Sequence, residues 1–167
     1  SSDLGQCPIY EAGLPELLTQ VVGNSVTFTT DHQKAVAEAD VVFLSVPTPQ
    51  DEDGSADMSY VLTAAIQVAP HMKSRSVLVT KSTVPVGSSA LVAEAIGRGD
   101  VAIASNPEFL REGTAVHDFM NPERIVIGTD ESWAADVLEE LYKDLNSPIV
   151  RASPASAEMI KYASNSF

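Results

Sequence analysis

The chain has 167 residues, 44 % hydrophobic and 20 % charged, which suits one globular domain with a substantial core and is short for two. Its formal net charge is −13 and its pI is near 4.4. So acidic a surface argues against nucleic acid or an anionic membrane as the main partner, although backbone N–H groups can still bind a phosphorylated ligand.

The single cysteine, Cys7, excludes an internal disulfide and makes a reducing cytoplasm the default. No apolar run approaches the ~20 residues of a membrane span, and no basic segment leads into one as in a signal peptide. Residues 1–13 show no periodicity. A helix is expected at Leu14 to Val22, with Pro15 in its first turn. Ser25 to Thr30 alternates and is β-branched, so it reads as a strand. Asp31 then caps a helix to about Glu38. Asp40 to Val46 is a strongly apolar strand that stops at Pro47 and Pro49 and gives way to a polar loop. Asp57 caps a helix from about Met58 to Met72.

The alternation continues with a strand at Ser76 to Lys81, a turn at Thr83 to Gly87 and a helix from Ser88 to about Ile96. Val101 to Ala104 has the length and composition of a strand buried on both faces. It must end before Pro107, which has no N–H to donate and pushes Asn106 away from the helical region. A strand at Arg124 to Gly128, a helix from about Ser132 to Leu145, a short strand at Pro148 to Arg151 and a helix from Ala155 onward complete the chain. Strands alternating with helices indicate an α/β domain with a mostly parallel sheet. The strand ends at Val46, Lys81, Ser105 and Gly128 should then lie along one edge, where open α/β sheets bind ligands.

Three of those ends carry unusual chemistry. Val46-Pro47-Thr48-Pro49 either ends a strand or holds the backbone stiff for a flat ring to lie against. In Lys81 to Ser88, the hydroxyls of Ser82 and Thr83 either form the turn or bind a ligand's oxygens or a water. Glu108 and Glu112, with Arg111 between them, follow directly after the buried strand, where a charged cluster is placed to touch substrate. Asp51, Glu52, Asp53 and Asp57 lack calcium-loop spacing. His32, His71 and His117 are scattered, so no metal site is expected. Cys7 has no basic neighbour to activate it, and Met58, Met72, Met120 and Met159 read as core or loop filler. The glycine fingerprint of a dinucleotide fold is absent, as is the acidic residue ending a second strand.

The stretches PIYEAGLPELL (8–18), ADVVFLSVPTPQDEDGSADMSYV (39–61), VTKSTVPVGSS (79–89), SNPEFLREGTAVHDFMNPERIVIG (105–128) and AEMIKYASNSF (157–167) resemble, in register over essentially the whole chain, the UDP-glucose 6-dehydrogenase family. The resemblance implies a Rossmann-like, doubly wound parallel sheet without its first β-α-β unit. Residues 1–152 would form a partial NAD-binding domain, and 153–167 would begin a long helix leading to a nucleotide-sugar-binding domain. It implies a four-electron oxidation of UDP-glucose to UDP-glucuronate with two NAD+ and a cysteine thioester, the cysteine lying in that second domain. Cys7 does not match its context, so this polypeptide alone is expected not to turn over.

Residue by residue, Glu108 resembles the glutamate that acts on the hydrolytic water, and Thr83 the threonine that helps hold that water and lines the cofactor. Lys161 and Asn165, four apart on one helix face, resemble the oxyanion-stabilising pair. Glu108, Phe109, Leu110, Arg111 and Glu112 resemble the substrate loop. Val46, Pro47, Thr48, Pro49 and Gln50, with Ser82, Thr83 and Val84, resemble cofactor contacts, and Glu112 a glutamate near the nicotinamide. A homodimer through the long helix is implied for the complete enzyme. Two alternatives stay open: a sister enzyme acting on GDP-mannose or UDP-N-acetylmannosamine, and a non-catalytic module that binds a ligand or partner.

Overall fold

A computed structural model describes residues 10–50 and 56–166, with side chains to residue 164. Asp51, Glu52, Asp53 and Cys7 lie outside the described residues. A five-stranded sheet has the order β1 (Val41–Leu44), β2 (Ser76–Thr80), β3 (Val101–Ser105), β4 (Ile125–Gly128), β5 (Ile149–Ala152). In β1 to β3 the ladders are parallel and in step, with Leu44 opposite Thr80 and Thr80 opposite Ser105. Their carboxyl ends therefore form one edge. Around them stand α1 (Leu14–Val21), α2 (His32–Val36), α3 (Ser59–Val68), α4 (Ser88–Ile96), α5 (Ala115–Met120), α6 (Ser132–Tyr142) and α7 (Pro154–Ser166).

The expectation of one common edge assumed strands running the same way, and β4 departs from that direction. It runs antiparallel to β3, with Ser105 opposite Gly128, and β5 runs parallel to β4. Gly128 therefore stands level with Ser105 at the end of β3 with its chain running the other way, and the start of β4, at Arg124 and Ile125, reaches past that edge. The reversal also decides where the helices lie. Right-handed crossovers through α3 and α4 put both on one face of β1–β3; the same hand applied to reversed strands moving in the same direction puts α6 on the other face. Two cores result. Leu44, Leu78 and Val101 pack with Val61, Ala65 and Val92 on one side, and Val77, Val79, Ala104 and Ile127 pack with Ala134, Ala135 and Leu138 on the other. That is the period-two alternation of a sheet covered on both faces.

Other boundaries shift for local reasons. No strand forms at Ser25 to Thr30. Residues 27–30 are exposed, and only the bridge between Val22 and Val26 touches this region, so among the described residues the alternating pattern has no ladder to join. The helix expected from Met58 to Met72 ends at Val68 and tightens into a 3-10 turn over Ala69–His71 at Pro70. Asp57 accepts from the backbone N–H of Ser59 at 2.8 Å, which satisfies an orphan donor of α3. The connection from Asn106 to Pro122 contains α5, a helix the sequence pattern did not reveal. Met72 is buried, whereas Met120 and Met159 are exposed and fill no core.

The last helix, α7, lies against β4 at Gly128. A Cβ at that position would stand 2.9 Å from the Ser153 carbonyl oxygen and 3.1 Å from the Pro154 Cα, and closer still to the Ala157 Cβ. Only glycine lets the helix approach this near.

Candidate active site

The edge of β1 and β2 carries a ledge built by side chains that bind backbone. The N–H of Lys81 donates to the Leu44 carbonyl at 2.9 Å, the Ser82 hydroxyl to the Val46 carbonyl at 2.6 Å, and the Thr48 hydroxyl to the Thr83 carbonyl at 2.9 Å. Prolines 47 and 49 cannot join a ladder, so these three bonds fix the VPTP segment against the STVP turn. Ser82 thus spends its hydroxyl on structure. Thr83 contributes its carbonyl, and its own hydroxyl makes no hydrogen bond among the described residues. Val84 is buried under the ledge, Val46 is half-buried, and Pro47, Pro49 and Gln50 are exposed along it.

Beyond β3 the chain is steered by Asn106, which is 1 % exposed. Its backbone N–H donates to Thr80, its side-chain amide donates to the Val126 carbonyl at 2.7 Å, and its Oδ1 accepts from Lys81 Nζ at 3.0 Å and from the Tyr142 hydroxyl at 2.6 Å. With Pro107 buried next to it, the direction of Glu108 is set by the sheet. One oxygen of the Glu108 carboxylate accepts from the Leu110 N–H at 2.6 Å, and the other lies 3.2 Å from Lys161 Nζ, which also donates to the Glu108 carbonyl. The Lys161 side chain is 9 % exposed and that of Glu108 31 %, so this ion pair is largely sheltered from water. Lys161 and Arg124 also stand 5.4 and 5.3 Å from the centre of the Phe109 ring, within cation–π range.

Two further carboxylates hold the loop that follows. Asp118 accepts from Arg111 through its backbone N–H, Nε and Nη2, and from the Thr114 hydroxyl. Arg111 thereby holds the Asp118 carboxyl well below the usual carboxylate range. Glu11, 5 % exposed, accepts from the N–H groups of Gly113 at 3.0 Å and Ala115 at 2.6 Å. Leu110, Arg111 and Glu112 remain exposed on this loop. Asn165 falls one turn after Lys161 in α7, and its side chain lies outside the described residues.

These elements enclose a cleft of about 630 Å³, with Lys81, Glu108, Phe109, Arg124, Tyr142 and Lys161 in its wall. The cleft wall carries four cations (Lys81, Arg111, Arg124 and Lys161) and three carboxylates (Glu108, Asp118 and Glu123), with Lys161 paired to Glu108 and Arg111 to Asp118, so on a chain of net charge −13 the cleft is close to balanced in charge. Burial pulls the Lys81 amine down to about 8; the charge of Glu108 opposes that shift and Lys161 adds to it. Burial alone pushes the Tyr142 hydroxyl up to about 12. A carboxylate beside a sheltered ammonium can take a proton from water, and the ammonium can stabilise an oxyanion formed next to it.

Lys81, Glu11, Asp118 and Tyr142 were not singled out as site residues from the sequence. The available signal for Lys81 was its position directly after a fully buried strand and before the hydroxyl-bearing turn. Glu11 and Asp118 bind backbone or neighbouring polar groups and leave no spacing to read.

Comparison with known proteins bears on this geometry. The sequence profile of the UDP-glucose/GDP-mannose dehydrogenase family, NAD binding domain, matches residues 2–146. The chain is 44 % identical to UDP-glucose 6-dehydrogenase TuaD of Bacillus subtilis, covering 98 % of this chain and 37 % of that protein. It is 46 % identical to the UDP-glucose 6-dehydrogenase of Rhizobium meliloti, covering 98 % and 40 %. Among solved structures, it superposes on a GDP-mannose dehydrogenase from Pseudomonas aeruginosa with a TM-score of 0.91 at 37 % identity, over 99 % of this chain and 41 % of that one. For a UDP-glucose dehydrogenase from Pyrobaculum islandicum the values are 0.90, 41 %, 98 % and 40 %. The chain thus spans about two fifths of the length of these relatives.

Proposed function

The chain belongs to the UDP-glucose/GDP-mannose dehydrogenase family, as its NAD-binding domain, and from this we propose that it is the cofactor half of an NAD-dependent UDP-glucose 6-dehydrogenase. The observation that carries the reading is the Glu108–Lys161 pair, a carboxylate and a sheltered ammonium from distant parts of the chain meeting at the end of β3. Residues 1–152 are the cofactor domain, and 153–167 begin the helix that leads to a sugar-binding domain and, in the complete enzyme, to a dimer partner.

The residues present suit the nicotinamide end of a dinucleotide. The stiffened Val46 to Gln50 segment offers a flat face, and Thr83, whose hydroxyl is unbonded among the described residues, is fastened beside it through its carbonyl at the carboxyl end of the sheet. Bound NAD+ supplies the hydride acceptor, two molecules for each sugar. The C6 alcohol becomes an aldehyde, then a thioester on a cysteine of the second domain, and water finally releases the carboxylate. Within this chain, Glu108 takes the proton from that water, and Thr83 helps hold it. Lys161, with Asn165, stabilises the oxyanion that forms at C6. Phe109 to Glu112 contact the sugar, with Glu112 toward the nicotinamide. Greater identity to the UDP-glucose enzymes than to the GDP-mannose enzyme favours UDP-glucose.

The test is turnover by the full-length protein that carries this domain. UDP-glucose should yield two NADH per UDP-glucuronate, with GDP-mannose and UDP-N-acetylmannosamine poor substrates. Preference for either of those sugars reassigns the substrate. No NADH from any of them leaves the non-catalytic module as the reading.

A further inference from the structure

Lys81 stands between the two halves of the site. Its backbone N–H closes the ledge on Leu44, and the next three residues, Ser82 to Val84, form the turn assigned above to the cofactor. Its side chain crosses to the other half, where Nζ donates to Asn106 Oδ1 at 3.0 Å and lines the cleft that contains Glu108 and Lys161. The amine is 6.0 Å from the Phe43 ring centre and 5.8 Å from that of Tyr142. Two aromatic rings and one amide thus accommodate an ammonium that has lost most of its water, an arrangement that stabilises the charged form of a lysine. An exposed strand-end lysine would need none of this. Asn106 in turn has every polar atom of its side chain engaged, and it directly precedes Pro107 and Glu108.

We propose that Lys81 is a positioning residue of this site: its ammonium locks Asn106, and through the short Asn106-Pro107-Glu108 connection it fixes the Glu108 carboxylate relative to the cofactor turn. The proposal rests on the dehydrogenase reading, in which Glu108 acts on the hydrolytic water. It adds a residue that acts through Asn106 and sets where the base stands. Because the lock depends on a charge that is costly to bury, it weakens as the amine loses its proton. The charged and titratable groups that share the cleft with Lys81 are Glu108 and Arg111 from the loop after β3, His117 and Asp118 from α5, Glu123 and Arg124 before β4, Tyr142 from α6 and Lys161 from α7. The arginines stay charged throughout, and Tyr142 titrates far higher, at about 12.

The experiment compares kcat against pH for the full-length wild-type protein and the variants Lys81→Arg, Lys81→Met and Tyr142→Phe, with UDP-glucose and NAD+ saturating. Wild type should lose kcat on an alkaline limb near the Lys81 value of about 8. In Lys81→Arg, whose cation does not titrate, that limb should move up by about one pH unit or more. Lys81→Met should lower kcat about tenfold or more with KM for NAD+ little changed, and should lack the limb. Tyr142→Phe removes the other donor to Asn106 and should keep the limb in place. An unmoved limb in Lys81→Arg overturns the proposal, and so does a limb that moves equally in Tyr142→Phe. If Lys81→Met does not fold, the arginine variant alone decides. Glu108→Gln measured in parallel separates the two claims. Normal turnover there removes the dehydrogenase reading of Glu108 itself, whereas slow turnover with an unmoved limb in Lys81→Arg removes only the role of Lys81.

Discussion

Glu158 of α7 binds the first turn of α4: its carboxylate accepts from the Ser89 N–H at 2.8 Å and the Ser89 hydroxyl at 2.7 Å, with the Gly87 N–H at 2.6 Å on its second oxygen. The side chain is 1 % exposed. A carboxylate at a helix N-terminus meets both the orphan N–H groups and the positive end of the helix dipole. The bond also joins the STVPVG turn to the helix that carries Lys161, three residues further on, so the ledge and the cleft share one fastening.

Replacing Glu158 with Gln keeps the volume but removes the charge and turns an amide N–H toward donors. The expected loss is ~1–3 kcal/mol of stability, read as a lower urea midpoint with an unchanged m-value. A midpoint equal to wild type would show that the fastening is dispensable.

Gly128→Ala tests the packing of α7 on β4. The added methyl meets backbone of Ser153 and Pro154 and the Ala157 side chain, none of which can swing aside as a long side chain would. Overpacking of this kind typically costs about 1–3 kcal/mol. The thermal midpoint should fall, and amide hydrogen exchange along α7 should speed up more than along α4. Equal protection in both helices would contradict the close approach.

Much of the fold was legible. The apolar run at Val101 and its stop at Pro107 gave β3, and the helix at Ser88 to Ile96 matched α4. What failed was relational. Periodicity records whether a strand is buried but not which way it runs, so the reversal of β4 was invisible, and α5, only 6 residues long, carries too short a pattern to stand out. Ser25 to Thr30 had strand chemistry without a ladder to join among the described residues. In the site, the resemblance supplied Glu108 and Lys161, and the structure brings those two together. Glu11 and Glu158 could not be read, because each acts mainly on backbone far away in sequence and a lone carboxylate looks like any surface charge, and Lys81 carried only its strand-end position, with nothing to mark its bond to a distant amide.

Lys81 also predicts a pH dependence of stability. Its folded value of about 8 lies below the unfolded value of 10.5. Below about pH 8 both states are protonated, and the cost of the buried ammonium is present in full. Between those two values the unfolded chain holds a proton that the folded protein has released, so stability rises with pH. Above about pH 10 the raised value of Tyr142 acts in the opposite sense, which confines the test to lower pH. The stability of wild type relative to Lys81→Met should therefore be flat from about pH 6 to 7 and rise by ~1 kcal/mol from about pH 8 to 9. Urea unfolding of both proteins across this range checks it, and parallel curves would contradict the burial of the amine.

The central claim is that Glu108 is the base toward water, and Glu108→Gln in the full-length protein tests it most directly. Glutamine keeps the size and the acceptor for Leu110 but cannot take the proton. General-base contributions of about 10²- to 10⁴-fold are typical, so release of the acid product should slow by that order while NAD+ affinity stays nearly unchanged. Intact-protein mass measured after mixing the variant with UDP-glucose and NAD+ should then show a covalent thioester accumulating. Turnover near wild type, or slow turnover with no adduct, would contradict the assignment.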